Sequence, residues 1–558
     1  MVGAGLLVLS VAGVMVAAVA TPAPHTGGDN AGYLSLAHSL ISGDGYVEAW
    51  DPAVPPHTKY PPVFPVLLAG LMLAGASTWT AFKTLSAIGI SLAALLAFAW
   101  ASRRSGPISG VAVALLAVLS FGWLDASRWI LSEPTFLTFT FLALWAADRA
   151  IPPARPSPER LSPERLSLAW LGLATLATAL ACLTRAAGAP LGIALIATLL
   201  LARRVSSAAA VAGALAVPGI WWVVRSWQAG GAGAYQSEFW MVNPYDPGLG
   251  VLGWLDLPIR AWANLRRYVG AVLPREWWPG LGDGWTLVFG VVMGIAVLVG
   301  WWLRVREREA GTADLFAPLY FGMVLVWPEV WSGERFLLPL YPLLLLYAGE
   351  ALRFAGRRLG HLSELGLPAV GFLILALPAL PAGIAMAEDA RMCRSVVDGS
   401  GDVFQCHSEA FQEFREAAVW SGANLPSGAV VLNRKPRIFY LLGGIQGRVF
   451  PFSEDSVALL DEADRAGARY LLLDHVDALA LHYLPPAIQA HPLAFCYLGG
   501  WGGAEGQPRT DLIGILRPGD RLEGGGVEDI GSCPATYRAG PPRSPRPEGL
   551  RIPLLVRP

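Results

Sequence analysis

The sequence predicts a polytopic α-helical membrane protein of about eleven transmembrane helices, followed by a small α/β domain outside the membrane. Three observations lead there. Of 558 residues, 54% are hydrophobic and only 15% charged, with mean hydropathy +0.47, whereas a soluble domain carries roughly 25% charge. The charges are also unevenly spread. Residues 1–387 hold 45 charged residues (24 basic, 21 acidic), about 12%, and residues 388–558 hold 38 (17 basic, 21 acidic), about 22%. Finally, the arginines of the apolar block fall in alternate loops. The same figures exclude an ordinary soluble enzyme and a disordered chain, which need more charge. A net charge of −1 offers nothing to a nucleic acid.

A bilayer-spanning helix needs about 20 mainly apolar residues. Such segments lie near residues 2–20, 79–101, 107–124, 134–149, 167–183, 187–202, 207–226, 285–303, 314–331, 336–354 and 365–387. Residues 2–20 end on Ala18-Val19-Ala20, a cleavage-like site. No basic stretch precedes them and ten further spans follow, so the first helix is read as retained. Tyr60–Gly75 opens on Pro61, Pro62 and Pro65 and is interrupted by Gly70 and Gly75. Proline is tolerated at a helix start, so a short interfacial or re-entrant helix is expected there.

Loop charges decide the count. If Tyr60–Gly75 does not cross, one side collects Arg103, Arg104, Arg149, Arg155, Arg160, Arg165, Arg203, Arg204, Arg304, Arg306, Arg308, Arg353, Arg357 and Arg358. That side is cytoplasmic by the positive-inside rule. The opposite loops carry single arginines: Arg128, Arg185, Arg225 and Arg335. The N-terminus is then inside, and loop 21–78, loop 227–284 and everything from residue 388 are outside.

Loop 227–284 is rich in tryptophan (Trp227, Trp240, Trp254, Trp262, Trp277, Trp278), and Ile259–Leu273 has an apolar face interspersed with Arg260, Arg266 and Arg267. Either an interfacial helix or a loop packed on the protein fits. In the tail, Ala429–Asn433, Tyr470–Asp474, Phe495–Leu498 and Leu512–Leu516 read as short strands. Ser456–Gly467 reads as a helix ending at glycine. Residues 534–558 are rich in proline and arginine and are expected to be loose. Cys393, Cys406, Cys496 and Cys533 allow three pairings. Cys393–Cys406 with Cys496–Cys533 is favoured, against four free thiols. No CxxC, zinc spacing, Walker A, GxSxG or HExxH pattern is present.

The first external loop carries a dense polar pattern. Asp29 and Tyr33 stand one helical turn apart at the outer end of the first span. Ala37-x-Ser39-Leu40, Gly43-x-Gly45-Tyr46 and Tyr60-Pro61-Pro62-x-x-Pro65 follow. His25, His38 and His57 share the loop. Isolated histidines at a membrane surface are usually structural; His57 is retained as a substrate-binding candidate.

In this order and placement the motifs resemble the GT-C class of membrane glycosyltransferases, nearest the protein O-mannosyltransferase and aminoarabinose transferase group (glycosyltransferase family 39-like). The resemblance covers about residues 1–355 and is strongest in 21–75. It implies transfer of a sugar from a polyprenyl-phosphate donor on the outer face. The first-loop aspartate acts on the acceptor nucleophile in that group, and Asp29 is the residue that matches it. Many relatives have Asp-Glu where this chain has Asp29-Asn30, so no second adjacent carboxylate contributes. Glu133, before Pro134, matches an acidic residue of the family. Arg185 matches a basic one in the turn Thr184–Gly188. Glu334-Arg335-Phe336-Leu-Leu-Pro339-Leu-Tyr341-Pro342 resembles a late Arg-Tyr segment.

These matches give a catalytic pair, Asp29 and Glu133, and donor-phosphate ligands Lys59, Arg185 and Arg335. Cations there stabilise the negative charge on the leaving lipid phosphate. Tyr33, Tyr60 and His57 are substrate-binding candidates. Arg128 and Arg225 fit interface anchors. No metal-ligand set or cofactor motif is read, and a divalent cation is compatible. The acceptor is a protein, lipid or glycan.

The expected organisation is a transmembrane catalytic domain (1–387), an extracytoplasmic α/β domain (388–533) and a tail (534–558), in a cell inner (plasma) membrane. Three rival readings make different demands on the sequence. An oligosaccharide transferase or ligase would use a larger lipid-linked donor. A transporter or flippase would put charges at mid-membrane, whereas here they gather at one face. A surface protein without activity leaves the first-loop pattern unexplained.

Overall fold

In a computed structural model of the protein, residues 1–151, 167–230, 233–306, 310–503, 508–517, 520, 531–538 and 552 are described. Arg155, Arg160, Arg165 and Arg308, and most of 534–558, lie outside the described residues.

In hydrocarbon, backbone polar groups have no water to bond, so apolar stretches close their hydrogen bonds as helices. Each of the eleven apolar segments carries a helix. After α1 (Val2–Val19), loop 21–78 contributes α2 (Gly28–Ser42) and α3 (Val63–Leu73), the short helix expected behind the proline cluster. Then come α4 (Trp79–Ser105), α5 (Pro107–Leu119), α6 (Phe121–Ser127), α7 (Glu133–Ala150), α8 (Leu168–Thr184), α9 (Ala189–Leu201) and α10 (Val205–Gln228). Loop 227–284 holds α11 (Gly233–Trp240), α12 (Leu257–Arg267) and the one-turn α13 (Leu273–Arg275). Last in the helical block are α14 (Asp283–Arg306), α15 (Thr312–Leu325), α16 (Tyr341–Leu359) and α17 (His361–Ser400). Helices α1, α4, α10, α14 and α17 are each long and apolar enough to cross a membrane. The pair α5–α6, bent by 67° around Ser120, is apolar enough for a sixth if it crosses as one broken span. The chain is a multi-pass membrane protein.

Two charged layers bracket the helices, and α4 measures the distance between them. Near its start, the Lys83 ammonium donates to the carbonyls of Thr21 (2.8 Å) and Ala23 and lies over the Trp129 ring. Near its end, Arg104 donates to both Asp148 oxygens (2.5 and 2.7 Å) and to Asp314 (2.7 Å). Tyr347 also donates to Asp314 (2.9 Å), and Arg304 lies 3.5 Å from it. At 1.5 Å per residue, Lys83 and Arg104 stand about 32 Å apart, close to the hydrocarbon thickness of a bilayer.

α12 turns its polar side inward. Arg260 and Asn264 are buried and bond the carbonyls of Phe239, Met241, Leu325 and Trp327, while Ile259 and Trp262 are exposed. A helix with its apolar side outward suits lipid, which favours the interfacial reading of this loop.

The C-terminal part adds α18 (Glu409–Asn424), α19 (Pro436–Gly443), α20 (Ser456–Ala466), α21 (Ala478–Ala490) and a five-stranded sheet. Its strands are β1 (Val430–Leu432), β2 (Gln446–Arg448), β3 (Tyr470–Leu473), β4 (Phe495–Trp501) and β5 (Thr510–Ile515), in the order β2-β1-β3-β5-β4. β1 runs parallel to β2 and β3; β5 runs antiparallel to β3 and β4. Four strands and the α20 helix, stopped by Gly467, match the sequence reading. β2 was not foreseen, because three residues carry no alternation. Its centre is Gly447, where a Cβ would sit 2.2 Å from the Val431 carbonyl oxygen. That close approach puts the Gly447 N–H on the Trp50 carbonyl at 2.8 Å, docking the sheet edge on the first loop.

One apolar core joins the two regions, with Tyr33, Trp50, Phe64 and Trp79 packed among the same side chains as Phe411, Phe414, Ile438 and Phe439. α17 runs unbroken through residue 387 to Ser400. Cys393–Cys406 and Cys496–Cys533 are disulfide-bonded. The looseness expected from residue 534 onward does not hold for its described part. Tyr537 is fully buried and donates to the Ile515 carbonyl, and the buried Ile552 donates to that of Ser77.

Candidate active site

Gly27 is extended and α2 starts at Gly28, so Asp29 falls in the first turn, where the helix dipole favours a carboxylate. Tyr33 follows one turn later on the same side. Asn30 faces elsewhere and accepts the Ile130 N–H (2.9 Å). The position beside Asp29 is therefore spent on packing.

Four further segments converge around Asp29. Tyr60, just ahead of α3, donates its phenol to Asp29 Oδ1 at 2.6 Å. Arg335, on a turn of 3-10 helix before α16, places Nη2 3.2 Å from Asp29 Oδ2. The same guanidinium reaches Glu133 Oε1 through Nε (2.7 Å) and Nη2 (2.6 Å). Arg185 meets that oxygen at 2.9 Å and donates to Ser132 Oγ at 3.0 Å, which also bonds the Tyr33 hydroxyl (2.9 Å). Glu133 Oε2 is buried with no hydrogen-bond partner.

Backbone packing sets these positions. Gly89 of α4 abuts the start of α7, where a Cβ would come within 2.9 Å of Pro134 Cβ and 3.0 Å of its carbonyl carbon. The bare glycine lets α4 press on the turn that carries Glu133.

Burial alone would raise the Asp29 pKa. Arg335, the Tyr60 hydrogen bond, Arg437 and Arg185 outweigh it and hold the carboxyl well below the usual range. Burial keeps the Tyr60 phenol far above its usual value, so it is a neutral donor. His25 is pushed down to about 4 by burial and by Arg335. Its neutral ring accepts the Gly27 N–H (2.8 Å). The Asp29 and Arg335 side chains are 35% and 37% exposed, against 2% for Glu133. An incoming molecule therefore meets Asp29 and Arg335 first.

The structure thus gathers Asp29, Tyr33, Tyr60, Glu133, Arg185 and Arg335. Two expected site residues are placed differently. The fully buried His57 uses both ring nitrogens within the protein: Nδ1 lies 2.7 Å from Glu48 Oε1 and Nε2 accepts the Tyr60 N–H at 2.8 Å. It fixes Tyr60 and has no nitrogen left for a substrate. The Lys59 ammonium turns to Glu238 (2.9 and 3.1 Å) and the Trp331 ring, so its charge is matched by a carboxylate of the second external loop. Arg225 is no lipid anchor either; it donates to the carbonyls of His57 (2.6 Å) and Tyr46 (3.0 Å).

One residue escaped the sequence reading. Arg437, in α19, donates to the Tyr60 hydroxyl at 2.5 Å and lies 3.9 Å from Asp29 Oδ1. The run Arg434-Lys435-Pro436-Arg437 at the carboxyl end of a parallel strand was the available signal.

Among the described residues, no three His, Cys, Asp or Glu side chains converge as a metal-ligand set. A divalent cation between Asp29 and Glu133 would compete with the Arg335 guanidinium that bridges them.

No protein-family model matches the chain, and a search of curated proteins finds no match. Solved structures do match. The chain is similar to the archaeal oligosaccharyltransferase AglB from Archaeoglobus fulgidus, in complex with an inhibitory peptide and a dolichol-phosphate. The TM-score is 0.52 at 14% identity, over 84% of this chain and 69% of that one. It is also similar to ArnT from Cupriavidus metallidurans in the apo state (TM-score 0.51, 16% identity, 92% of this chain and 97% of that one). The same protein bound to undecaprenyl phosphate matches at TM-score 0.51 and 14% identity, over 92% of this chain and 98% of that one. The fold is that of GT-C membrane glycosyltransferases, as the first-loop motifs led one to expect.

Proposed function

We propose that the protein transfers a sugar from a polyprenyl-phosphate donor to an acceptor hydroxyl on the extracytoplasmic face of the plasma membrane. The observation that carries this reading is Asp29, partly exposed and held between the Tyr60 hydroxyl and the Arg335 guanidinium, which lower its pKa. A carboxylate has about four acceptor sites. Tyr60 and Arg335 occupy two of them, which leaves room for an acceptor O–H.

The step is a single displacement. The acceptor oxygen attacks the anomeric carbon and its proton passes to Asp29. The bond from that carbon to the phosphate oxygen breaks with its electron pair leaving on the lipid phosphate. Attack from the opposite face inverts the anomeric centre. Arg335 and Arg185 lie beside the leaving group and stabilise its charge more in the transition state than in the ground state. Glu133 holds both guanidinium groups in place. All eleven helical segments cross in this reading, with the N-terminus and the Arg104 layer cytoplasmic. The similarity to ArnT bound to undecaprenyl phosphate supports a lipid-phosphate donor. The similarity to AglB favours one second reading, a lipid-linked oligosaccharide as donor.

The test is to incubate the purified protein and membrane extract with radiolabelled undecaprenyl-phosphate mannose, another hexose, an aminopentose and a lipid-linked oligosaccharide. Label recovered in a protein, lipid or glycan fraction identifies donor and acceptor class together. No label from any donor would contradict the reading.

A further inference from the structure

Arg437 belongs to the external domain, 377 residues from Tyr60 along the chain, yet it touches the innermost part of the candidate site. Its stem runs along a bare strip of α2. A Cβ on Gly32 would lie 3.2 Å from Arg437 Cδ, and one on Gly28 would lie 3.9 Å from it. The guanidinium carbon sits 5.1 Å from the centre of the Trp50 ring and 5.2 Å from that of Tyr60. Neighbouring contacts clamp α19 in register: Lys435 donates to the Thr26 carbonyl (3.3 Å), Arg448 pairs with Asp51 (2.8 and 3.0 Å), and Ile438 and Phe439 lie in the shared core.

We propose that Arg437 is a positioning residue for the transfer step, which makes the external domain a working part of the active site; the inference rests on the transferase reading. A phenol has one proton. With an Arg437 N–H donating to its oxygen, the Tyr60 proton is directed at Asp29 Oδ1 and the ring cannot turn away. The guanidinium also polarises the phenol and strengthens its donation, since hydrogen bonds in a chain reinforce one another. Oδ1 is thereby fixed, and the free acceptor positions of Asp29 point at one place. Arg335 contacts the other oxygen, Oδ2, so the two arginines act on different atoms of one carboxylate.

The test is a double-mutant cycle in the full chain, using whichever labelled undecaprenyl-phosphate sugar the wild type transfers. Arg437→Met keeps the stem and Tyr60→Phe keeps the ring. Arg437→Met should lower kcat about 10- to 100-fold, the effect of losing a hydrogen bond to a charged group, with donor KM changed less than about 3-fold. In the Tyr60→Phe background the same substitution should cost less than about 2-fold, because its partner atom is already gone. Equal losses in both backgrounds, or a wild-type kcat for Arg437→Met, would overturn the inference. If Arg437→Met does not give a folded protein, Arg437→Leu replaces it, and a wild-type kcat there overturns the inference equally. A wild type that transfers no sugar overturns the transferase reading and takes this inference with it.

Discussion

At the scale of residues, the chemistry turns on a carboxylate surrounded by cations. Arg335, the Tyr60 hydroxyl and Arg437 depress the folded pKa of Asp29. It therefore stays ionised below the value of about 3.9 usual for an aspartate. The stability that its contacts supply is present at neutral pH and is lost as pH falls through the depressed value. The base form is likewise present across the working range. kcat/KM measured from pH 4 to 8 should show no acid limb from Asp29. Arg335→Met should raise the Asp29 pKa and bring an acid limb to higher pH; a profile of unchanged shape would count against the contact. Lys59 is matched by Glu238, so Lys59→Ala should reduce turnover much less than Arg335→Ala does. A comparison of kcat/KM for the two variants checks this ranking.

At the scale of elements, close helix contacts place the site. Gly89 allows α4 to lie on the first turn of α7. Gly89→Val should push that turn outward, displace Glu133 and lower kcat at least tenfold, while the protein still folds. A variant with wild-type kcat would show that the contact does not set the site. At the other end of α4, Asp314 is fully buried against Arg104. Removing one partner of such a pair costs about 3–5 kcal/mol, so Asp314→Ala should sharply shorten the thermal-inactivation half-life in detergent. In the external domain, burial raises the Asp474 pKa to about 6. A raised carboxyl pKa means that stability falls as pH climbs from about 4 to about 6 and stays flat above. Asp474→Asn should remove that fall and raise Tm at pH 8; an unchanged Tm–pH curve would contradict it.

At the scale of the whole molecule, much was legible because membrane topology sorts residues before they meet. Asp29, Glu133, Arg185 and Arg335 stand at the ends of different apolar segments, and counting those segments puts them on one face, where the structure brings them together. What escaped depends on docking. Arg437 reaches Asp29 only because Gly447, Arg448 and the shared aromatic core seat the sheet on the first loop. Lys59 reads as a donor-phosphate cation and His57 as a substrate-binding candidate from their place in the first-loop pattern alone. Their partners, Glu48 and Glu238, were invisible to spacing, since the second lies 179 residues away from Lys59. The charge step at residue 387 marks a domain of soluble composition beside the candidate site, and the shared apolar core through which it packs on the first loop could not be read from composition.

The most direct test of the account is transfer of label from an undecaprenyl-phosphate sugar by purified wild-type protein and by Asp29→Asn. The substitution keeps the shape of the side chain and removes the proton acceptor. The account predicts transfer by the wild type and a loss of at least about 100-fold in the variant, at an unchanged Tm. An Asp29→Asn protein that turns over at a near wild-type rate would contradict it.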